Sequence, residues 1–195
     1  MIRKDAWLKV HGKAKYNDDG YPAACLQARL LTSVFAHAGI LSVDVSGAWA
    51  VPGVHSVVTG RESAMLTGPI LQDMPILAAE KVRYFGEPVA IVVADEEWQA
   101  AQAVKSIRVE YQPLPVVNTI EDALASNAPL VHPGLMQYAR TVPDVYPEEN
   151  TNIANRVKIR KGDIAQGWKD SAVVVEAEYR IPQASHAFLE TRNAR

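Results

Sequence analysis

Few side chains in this sequence stand at spacings that could support chemistry. Cys25 is the one thiol, and it would act as a nucleophile only if a base lay close to it in the fold. A cysteine in an apolar segment is more often a small buried hydrophobic residue. Ser46 precedes Gly47, but no GxSxG pattern surrounds it and no neighbouring residue marks it as activated. Neither side chain by itself predicts a catalytic centre.

Two carboxylates could be positioned for a reaction. Glu87 stands between Gly86 and Pro88, at the mouth of an apolar segment, where a turn residue is favoured over a positioned carboxylate. Glu190 follows His186 by four residues, so the two would share a face if residues 185–191 formed a strand. Pairs of this kind serve a structural hydrogen bond more often than a reaction.

Metal and nucleotide sites lack their usual signatures. The histidines never pair at ligand spacing, and HExxH, GxGxxG and GxxxxGK[ST] are all absent. The single cysteine excludes an internal disulfide framework and a CxxC motif. The residues therefore assign no catalytic, cofactor-binding or metal-binding role within this chain. The histidines are His11, His37, His55, His132 and His186.

The strongest secondary-structure pattern runs from Val82 to Pro115 and predicts a strand, a helix and a second strand. Residues 88–94 are an unbroken, β-branched apolar run, typical of a central strand covered on both faces. Apolar and polar residues alternate over 107–112, which predicts a strand nearer an edge. In the helix between them, the pattern predicts Asp95 as the cap, Glu96 and Glu97 in the first turn, and a packed face of Trp98, Ala101 and Val104.

Before this unit the pattern predicts further strands and one short helix. Residues 60–80 then form a loose, proline-interrupted connection, for which a surface excursion is favoured over a binding loop or lid. The predicted elements are a strand at 24–32, a strand at 40–45 with Leu41, Val43 and Val45 on one face, a helix at 47–51 capped by Ser46, and a strand at 54–59.

The two ends of the chain have a different character. Residues 2–21 show no sustained period and read as an extended arm, so we place an N-terminal arm at 1–23. Thr119 is predicted to cap a short helix, and the proline-rich stretch within 131–155 is typical of a linker. Beyond it we expect strands at 156–160 and 172–179, and a helix at 163–169 between them.

Composition bounds the class of protein. The 195 residues are 48% apolar and 22% charged, which is ordinary for a globular chain and too apolar for disorder. The net charge is −2 and no Lys/Arg block occurs, so neither a nucleic-acid partner nor a membrane surface is supported. The polar first residues do not read as a signal peptide. With its single cysteine, the sequence favours a cytoplasmic protein.

The order of segments resembles the molybdenum-binding large subunit of the xanthine dehydrogenase/aldehyde oxidase family, in its N-terminal part. GKAKYNDD (residues 12–19), AHAGILSVDVSGAWAVPGVHSVVTG (36–60) and TIEDAL (119–124) are similar to that family's arm and hammerhead domain. The closest match is KVRYFGEPVAIVVADEEWQAAQAVKSIRVEYQPLPVV (81–117). GDIAQGWKDSAVVVEAEYRIPQASHAFLE (162–190) looks like the segment that leads into the molybdopterin-binding domain.

The resemblance implies an α+β fold. Residues 24–130 would be an α/β hammerhead domain, 131–155 a linker, and 156–195 the incomplete beginning of a molybdopterin-binding domain. It also implies a molybdenum hydroxylase that, when complete, hydroxylates heteroaromatic rings or aldehydes at a molybdenum–molybdopterin cofactor. Iron–sulfur clusters and FAD would lie on partner domains or subunits, and a homodimer is possible. The family's catalytic glutamate and cofactor loops belong to a later region, so no such residue is carried over and the chain alone should be inactive.

Two other interpretations stay open from the residues. One is a stand-alone hammerhead module for binding or interaction, without catalysis, whose final segment past Gln183 would be ordered without a partner. The other is an enzyme that depends on Cys25, which predicts that a thiol reagent labels Cys25 in the native protein.

Overall fold

The structure is a computed structural model that describes residues 3–16, 19–20, 22, 24–63, 65–182 and 184–188. The chain divides into two compact units, one of residues 26–158 and one of residues 1–25 with 159–195. The elements are, in chain order, α1 (Ala6–Val10), β1 (Gln27–Thr32), β2 (Ala38–Asp44), α2 (Ser46–Trp49), β3 (Val54–Thr59), β4 (Leu66–Thr67), β5 (Met74–Pro75), β6 (Lys81–Val82), β7 (Pro88–Ala94), α3 (Glu97–Ser106), β8 (Arg108–Pro113), α4 (Ile120–Leu124), a 3₁₀ turn (Leu135–Gln137) and α5 (Ile164–Asp170).

Strand β7 is the centre of the larger unit. It pairs antiparallel with β1 on one side and with β3 on the other, which confirms its predicted central place. Ala90 and Val92 are buried in a cluster with residues of α2, α3 and β3. Val89 is buried in a second cluster, together with residues of β2 and β6. Ile91 and Val93 are only half-buried, so the strand is covered on both faces at its start alone.

A second sheet is built around β2, with β6 on one side and β8 on the other. The edge position of β8 confirms the alternation over 107–112, although β7 and β8 belong to different sheets, which periodicity alone does not distinguish. The ladder with β8 shifts register between Ile40 and Ser42. This irregularity reverses the inside–outside alternation, so Leu41 is 51% exposed and the predicted shared face with Val43 and Val45 is wrong at Leu41.

Helix α3 begins one residue later than its predicted cap implies. Its N-cap is Glu96 in place of Asp95, and the Glu96 N–H donates to Gln99 Oε1 at 2.9 Å in a capping box. Asp95 instead places its Oδ1 2.7 Å from His55 Nε2.

The buried face of α3 also differs from the prediction. Ala100 and Ala103 are buried, whereas Trp98 is 62% exposed, so the predicted packed face of Trp98, Ala101 and Val104 is wrong in its largest member. The physical reason is distance, because alanines let the helix lie close to β1 and β7 where an indole would not fit.

The two shorter helices of this unit are capped in different ways. Helix α2 has Val45 as its N-cap and Ser46 as its first residue, so the prediction of Ser46 as cap is wrong by one position. Asp44 Oδ1 takes over the capping by accepting from the Ser46 N–H at 2.9 Å. Helix α4 confirms its prediction, since the Asp122 N–H donates to Thr119 Oγ1 at 3.0 Å.

The connection over residues 60–80 contains the short hairpin β4–β5 and is held by the stretch predicted as a linker. Gln72 N–H donates to the Ala139 carbonyl at 2.9 Å, and Thr141 N–H donates to the Ile70 carbonyl at 3.0 Å. Leu71 is buried in a small cluster with two residues of 131–155. Residues 131–155 therefore pack onto the 60–80 connection, while their role as a domain boundary stays a prediction.

The second unit is less regular than its sequence predicts. Helix α5 confirms the predicted helix, with Asp163 as its cap. The prediction of an extended arm is wrong over Ala6–Val10, which form α1. The predicted strands at 156–160 and 172–179 are wrong for this structure, because these residues have no ladder partner among those described. Residues 185–188 are likewise not a strand, and Glu190 lies outside the described residues. No helix in the described ranges is long and apolar enough to cross a membrane.

Close backbone packing at Gly60 yields a stability prediction. A Cβ added there would lie 2.2 Å from the Ala78 carbonyl oxygen. That oxygen belongs to the backbone, so it cannot move aside as the end of a flexible side chain could. We expect Gly60→Ala to lower the free energy of unfolding by about 1–3 kcal/mol, as overpacking does. Gly39→Ala is the control, since its nearest neighbour would lie 3.8 Å away. Urea denaturation measures both, and equal stability of the two variants would contradict the packing described here.

Candidate functional site around Arg83

The tight turn between β6 and β7 carries the polar groups that converge in this fold. Gly86 has a φ of +88°, and the Glu87 N–H donates to the Tyr84 carbonyl at 3.2 Å. Ser33, just after β1, accepts from the Gly86 N–H and donates to the Glu87 carbonyl, both at 2.9 Å. The turn is thus fastened to the end of the neighbouring strand.

Glu87 is the turn residue that the sequence favours, and its carboxylate is buried. The residue is 2% exposed, and its Oε2 accepts from the Arg83 N–H. Burial raises the pKa of Glu87, while the Arg83 N–H and the Arg83 charge act in the opposite direction. The carboxylate closes the turn on itself, which is a structural use.

Arg83 lies between two cavities of the larger unit. The first, of about 290 Å³, is lined by charged and polar side chains together with residues of the 60–80 connection. Burial lowers the pKa of Lys81 there, and the Arg83 charge lowers it further. The polar residues lining it are Ser63, Asp73, Glu80, Lys81, Arg83 and Tyr138.

His132 lies close to this first cavity. Its Nδ1 is 3.1 Å from the Tyr138 hydroxyl. Burial lowers the pKa of His132, the charges of Arg83 and Lys81 lower it as well, and Asp73 opposes them. The imidazole is thereby held toward its neutral form in a basic setting.

The second cavity is also about 290 Å³, and polar and apolar residues line it in comparable measure. His37, which is 6% exposed, donates from Nδ1 to the Pro115 carbonyl at 2.5 Å. Arg83 Nη1 donates to the Lys81 carbonyl at 3.4 Å. The cavity is lined by Ala36, His37, Arg83, Tyr84, Phe85, Val116, Val117, Asn118 and Val131.

The other sequence candidates are not brought together. Cys25 is half-buried and precedes β1, so it lies outside the strand that the sequence predicts for it. Ser46 is the first residue of α2, and its N–H donates to Asp44 Oδ1. His11 stacks on Trp7 with 3.6 Å between the ring centroids.

His186 stacks on Phe188, with the ring centroids 5.4 Å apart, while its predicted partner Glu190 is not described. Among the described residues, no group of three or more His, Cys, Asp or Glu side chains could hold a metal ion.

Sequence reasoning did not predict that His37 and Arg83 line the same cavity. The two residues are 46 positions apart, and neither belongs to a motif whose spacing indicates chemistry. The one available signal was the position of Arg83 just before the YFGEP turn. That signal does not identify a partner.

Two family profiles match this chain. One is described as the a/b hammerhead domain of aldehyde oxidase and xanthine dehydrogenase and covers residues 11–115. The chain belongs to the aldehyde oxidase and xanthine dehydrogenase family. The second profile, a molybdopterin cofactor-binding domain, covers residues 145–195. The α+β fold and the hammerhead identity implied by the resemblance are thus confirmed.

Curated relatives of the family match along nearly the whole chain. A probable xanthine dehydrogenase subunit of Bacillus subtilis is 33% identical over 192 residues, which is 97% of this chain and 24% of that protein. The nicotinate dehydrogenase large molybdopterin subunit of Eubacterium barkeri is 30% identical over 97% of this chain and 41% of its own length. This chain spans about a quarter of the first relatives it matches.

Solved structures of the family agree with the fold. The aldehyde oxidoreductase of Desulfovibrio gigas superimposes with a TM-score of 0.59 at 33% identity, over 74% of this chain and 17% of that chain. Quinoline 2-oxidoreductase of Pseudomonas putida 86 gives a TM-score of 0.57 at 36% identity, over 66% and 18% of the two chains.

The family implies a molybdopterin cofactor, so we tested whether residues matched to the cofactor-binding profile could hold it. From residue 159 onward, every described side chain is exposed. The one positive-φ glycine there, Gly162, has nothing within 4 Å of an added Cβ. These residues do not form a cradle, and no chemical step is assigned to the cofactor here.

The buried carboxyl of Glu87 predicts a pH dependence of stability. Its folded-state pKa is raised, so the native state holds the proton more tightly than the unfolded state does. Its stabilising contribution is full below the ordinary carboxyl pKa and is lost as pH rises through the raised value. We therefore expect the unfolding free energy of the wild type, relative to Glu87→Gln, to fall as pH rises from about 4 to 7.

Asp44→Asn provides a control of opposite sign. Hydrogen bonds from Ser46 lower the pKa of Asp44, so its contribution is present above the ordinary carboxyl pKa and is lost as pH falls. Thermal unfolding from about pH 2 to 7 measures both differences, with the Asp44 change expected below about pH 4 and the Glu87 change above it. A Glu87 difference that does not fall as pH rises above about 4 would refute the burial effect at Glu87.

Proposed function

We propose that this chain forms the amino-terminal scaffold of the molybdenum-binding subunit of a hydroxylase. In this proposal, residues 24–130 are the hammerhead domain, 131–155 connect it, and 156–195 begin the molybdopterin-binding domain. The order of the two matched profiles along the chain supports this division. The lengths of the relatives support it as well, since the chain corresponds to a minor part of each.

The activity of the whole protein follows as a further part of the proposal. It hydroxylates heteroaromatic or aldehyde substrates at a molybdenum–molybdopterin cofactor, with iron–sulfur clusters and FAD on partner domains or subunits. The names of relatives, which include xanthine dehydrogenase, nicotinate dehydrogenase and aldehyde oxidoreductase, support this class of reaction. We further propose a cytoplasmic location and, for the assembled protein, a homodimer. This chain alone is inactive in the proposal.

One observation carries the proposal. The described segment 157–181 exposes a series of large apolar side chains that a folded protein normally buries. Val173 and Val175 alternate with polar or less exposed neighbours, as on one face of a strand, and they are 79% and 83% exposed. The others are Val157, Ile159, Ile164, Trp168, Val174, Tyr179 and Ile181.

The exposure of these side chains indicates that the predicted strand at 172–179 lacks the neighbour on which it would form. A strand forms where a neighbour completes its hydrogen bonds and covers its apolar face. The remaining molybdopterin-binding region is the proposed neighbour. The stand-alone module, in contrast, predicts a chain that is folded by itself, with the segment past Gln183 ordered without a partner. An apolar face left uncovered at 173–181 counts against a module of that kind.

The test is co-expression of this chain with a separate polypeptide that carries the remaining molybdopterin-binding region. We expect a complex that contains molybdopterin, in which amides of 172–181 gain protection from hydrogen exchange relative to the chain alone. Val173→Asp with Val175→Asp would bury two carboxylates, so the yield of complex should fall about tenfold or more.

Glu176→Gln with Glu178→Gln is the matched control, because it changes two charges next to those valines and leaves the apolar face intact. Its yield should match that of the unaltered chain. Absence of any molybdopterin-containing complex would defeat the proposal. Protection of amides past Gln183 in the isolated chain would instead favour the stand-alone module.

A further inference from the structure

Lys81 contributes a primary amine to the wall of the first cavity. Asp73 and Glu80 line the same cavity, but within the described part of the chain neither forms an ion pair with Lys81. Burial lowers the pKa of Lys81 and the charge of Arg83 lowers it further, and no described carboxylate opposes these effects. The charged form of this amine is therefore disfavoured at its position in the fold.

Two observations place the amine of Lys81 on the cavity side of β6. Lys81 pairs with Gly39 of β2, and the next residue, Val82, is fully buried in the cluster with β2. Because side chains alternate along a strand, that of Lys81 points away from this cluster. The charge of Lys81 also lowers the pKa of His132, whose Nδ1 lies 3.1 Å from the hydroxyl of Tyr138 in the cavity wall.

The rest of the wall suits an apolar ligand. Leu66, Pro75, Leu77 and Ala79 line the cavity, and apolar atoms form more of its surface than polar atoms do. Its volume is about 290 Å³, and it is partly open to solvent. An apolar cavity of roughly 150 Å³ is large enough to bind benzene. A single aromatic ring therefore fits beside the amine.

An aldehyde is the class of reagent that matches both the amine and this wall. After the ammonium group has released a proton to solvent, the nitrogen lone pair attacks the carbonyl carbon. Both remaining amine hydrogens leave with the carbonyl oxygen as water, and a C=N bond forms without an oxidant or reductant. The neutral imine removes the charge that burial and Arg83 disfavour. Carbon dioxide also adds to amines, but it would leave most of the cavity volume empty.

We propose that Lys81 is a reversible covalent binding site for an aromatic aldehyde, which it holds as an imine in the first cavity. The aromatic ring packs on the apolar part of the wall, and hydrolysis of the imine releases the aldehyde unchanged. The site lies entirely within residues 26–158 and is independent of the function proposed for the whole protein.

The test incubates the chain with benzaldehyde and sodium cyanoborohydride, which reduces an imine to a stable secondary amine, and locates the label by peptide mass spectrometry. Lys105 is the internal control, because it lies on α3 of the same unit and is exposed. At neutral pH we expect labelling of Lys81 to saturate with benzaldehyde concentration and to be about tenfold or more faster than that of Lys105. Acetaldehyde lacks the ring, so its preference for Lys81 should be smaller by about threefold or more.

Two variants test the site itself. Lys81→Arg keeps the charge but removes the nucleophile, so the saturable labelling should disappear while that of Lys105 is unchanged. Leu66 is 40% exposed, so Leu66→Ala should keep the fold, and its smaller apolar wall should slow labelling of Lys81 about threefold or more. Leu124→Ala is the matched control, since Leu124 lines a different cavity of the same unit and is 59% exposed. It should leave labelling of Lys81 unchanged.

Several results would overturn the proposal. Equal labelling of Lys81 and Lys105 would show that the cavity does not favour the reaction. An equal preference of benzaldehyde and acetaldehyde for Lys81 would show that the wall does not bind the ring, and so would unchanged labelling in a folded Leu66→Ala variant. If circular dichroism shows that Leu66→Ala does not fold, the comparison of the two aldehydes on the unaltered chain is the deciding measurement.

Discussion

The fold depends on the antiparallel pairing of β7 with both β1 and β3. These pairings join residues about sixty and thirty-five positions apart and leave β7 without an open edge. Because its apolar side chains alternate in direction, one face receives the helices and the other receives the second sheet at Val89. The two buried clusters meet at this one strand, so a change in its register would disturb both at once.

The turn before β7 fixes the position of the candidate site relative to β1. Ser33 holds Gly86 and Glu87 by backbone hydrogen bonds, and Glu87 in turn holds Arg83. The backbone of Arg83 is therefore fixed together with the turn that follows β6. His37 is placed similarly, since it precedes the buried start of β2 and is tied to Pro115 beyond β8.

Much of the larger unit could be predicted from local pattern. The positions of β3, β7, β8 and α4 follow from periodicity and from turn or capping residues close in sequence. The errors lie at residues whose exposure is set by contacts with elements distant in sequence. Leu41 turns outward because of an irregularity against β8, and Trp98 is exposed because small alanines set the distance of α3 from the sheet. The strand predicted at 172–179 needs a neighbour that periodicity cannot supply.

The candidate site was less predictable than the fold. Glu87 could be recognised as a turn residue from the adjacent Gly86 and Pro88, but its burial depends on packing across the turn. His37 and Arg83 carry no shared motif, and only the pairing of three-dimensional elements brings them to one cavity.

The position of β7 in the sequence also has a consequence for biosynthesis. Both of its neighbours, β1 and β3, are translated before it, so neither can complete a ladder until residues 88–94 have left the ribosome. The same holds for β2, which waits for β6 and β8. During that interval the nascent chain carries open strand edges of the kind that promote aggregation. The hammerhead is therefore a late-closing fold, whose vulnerable period ends only when β8 has been synthesised.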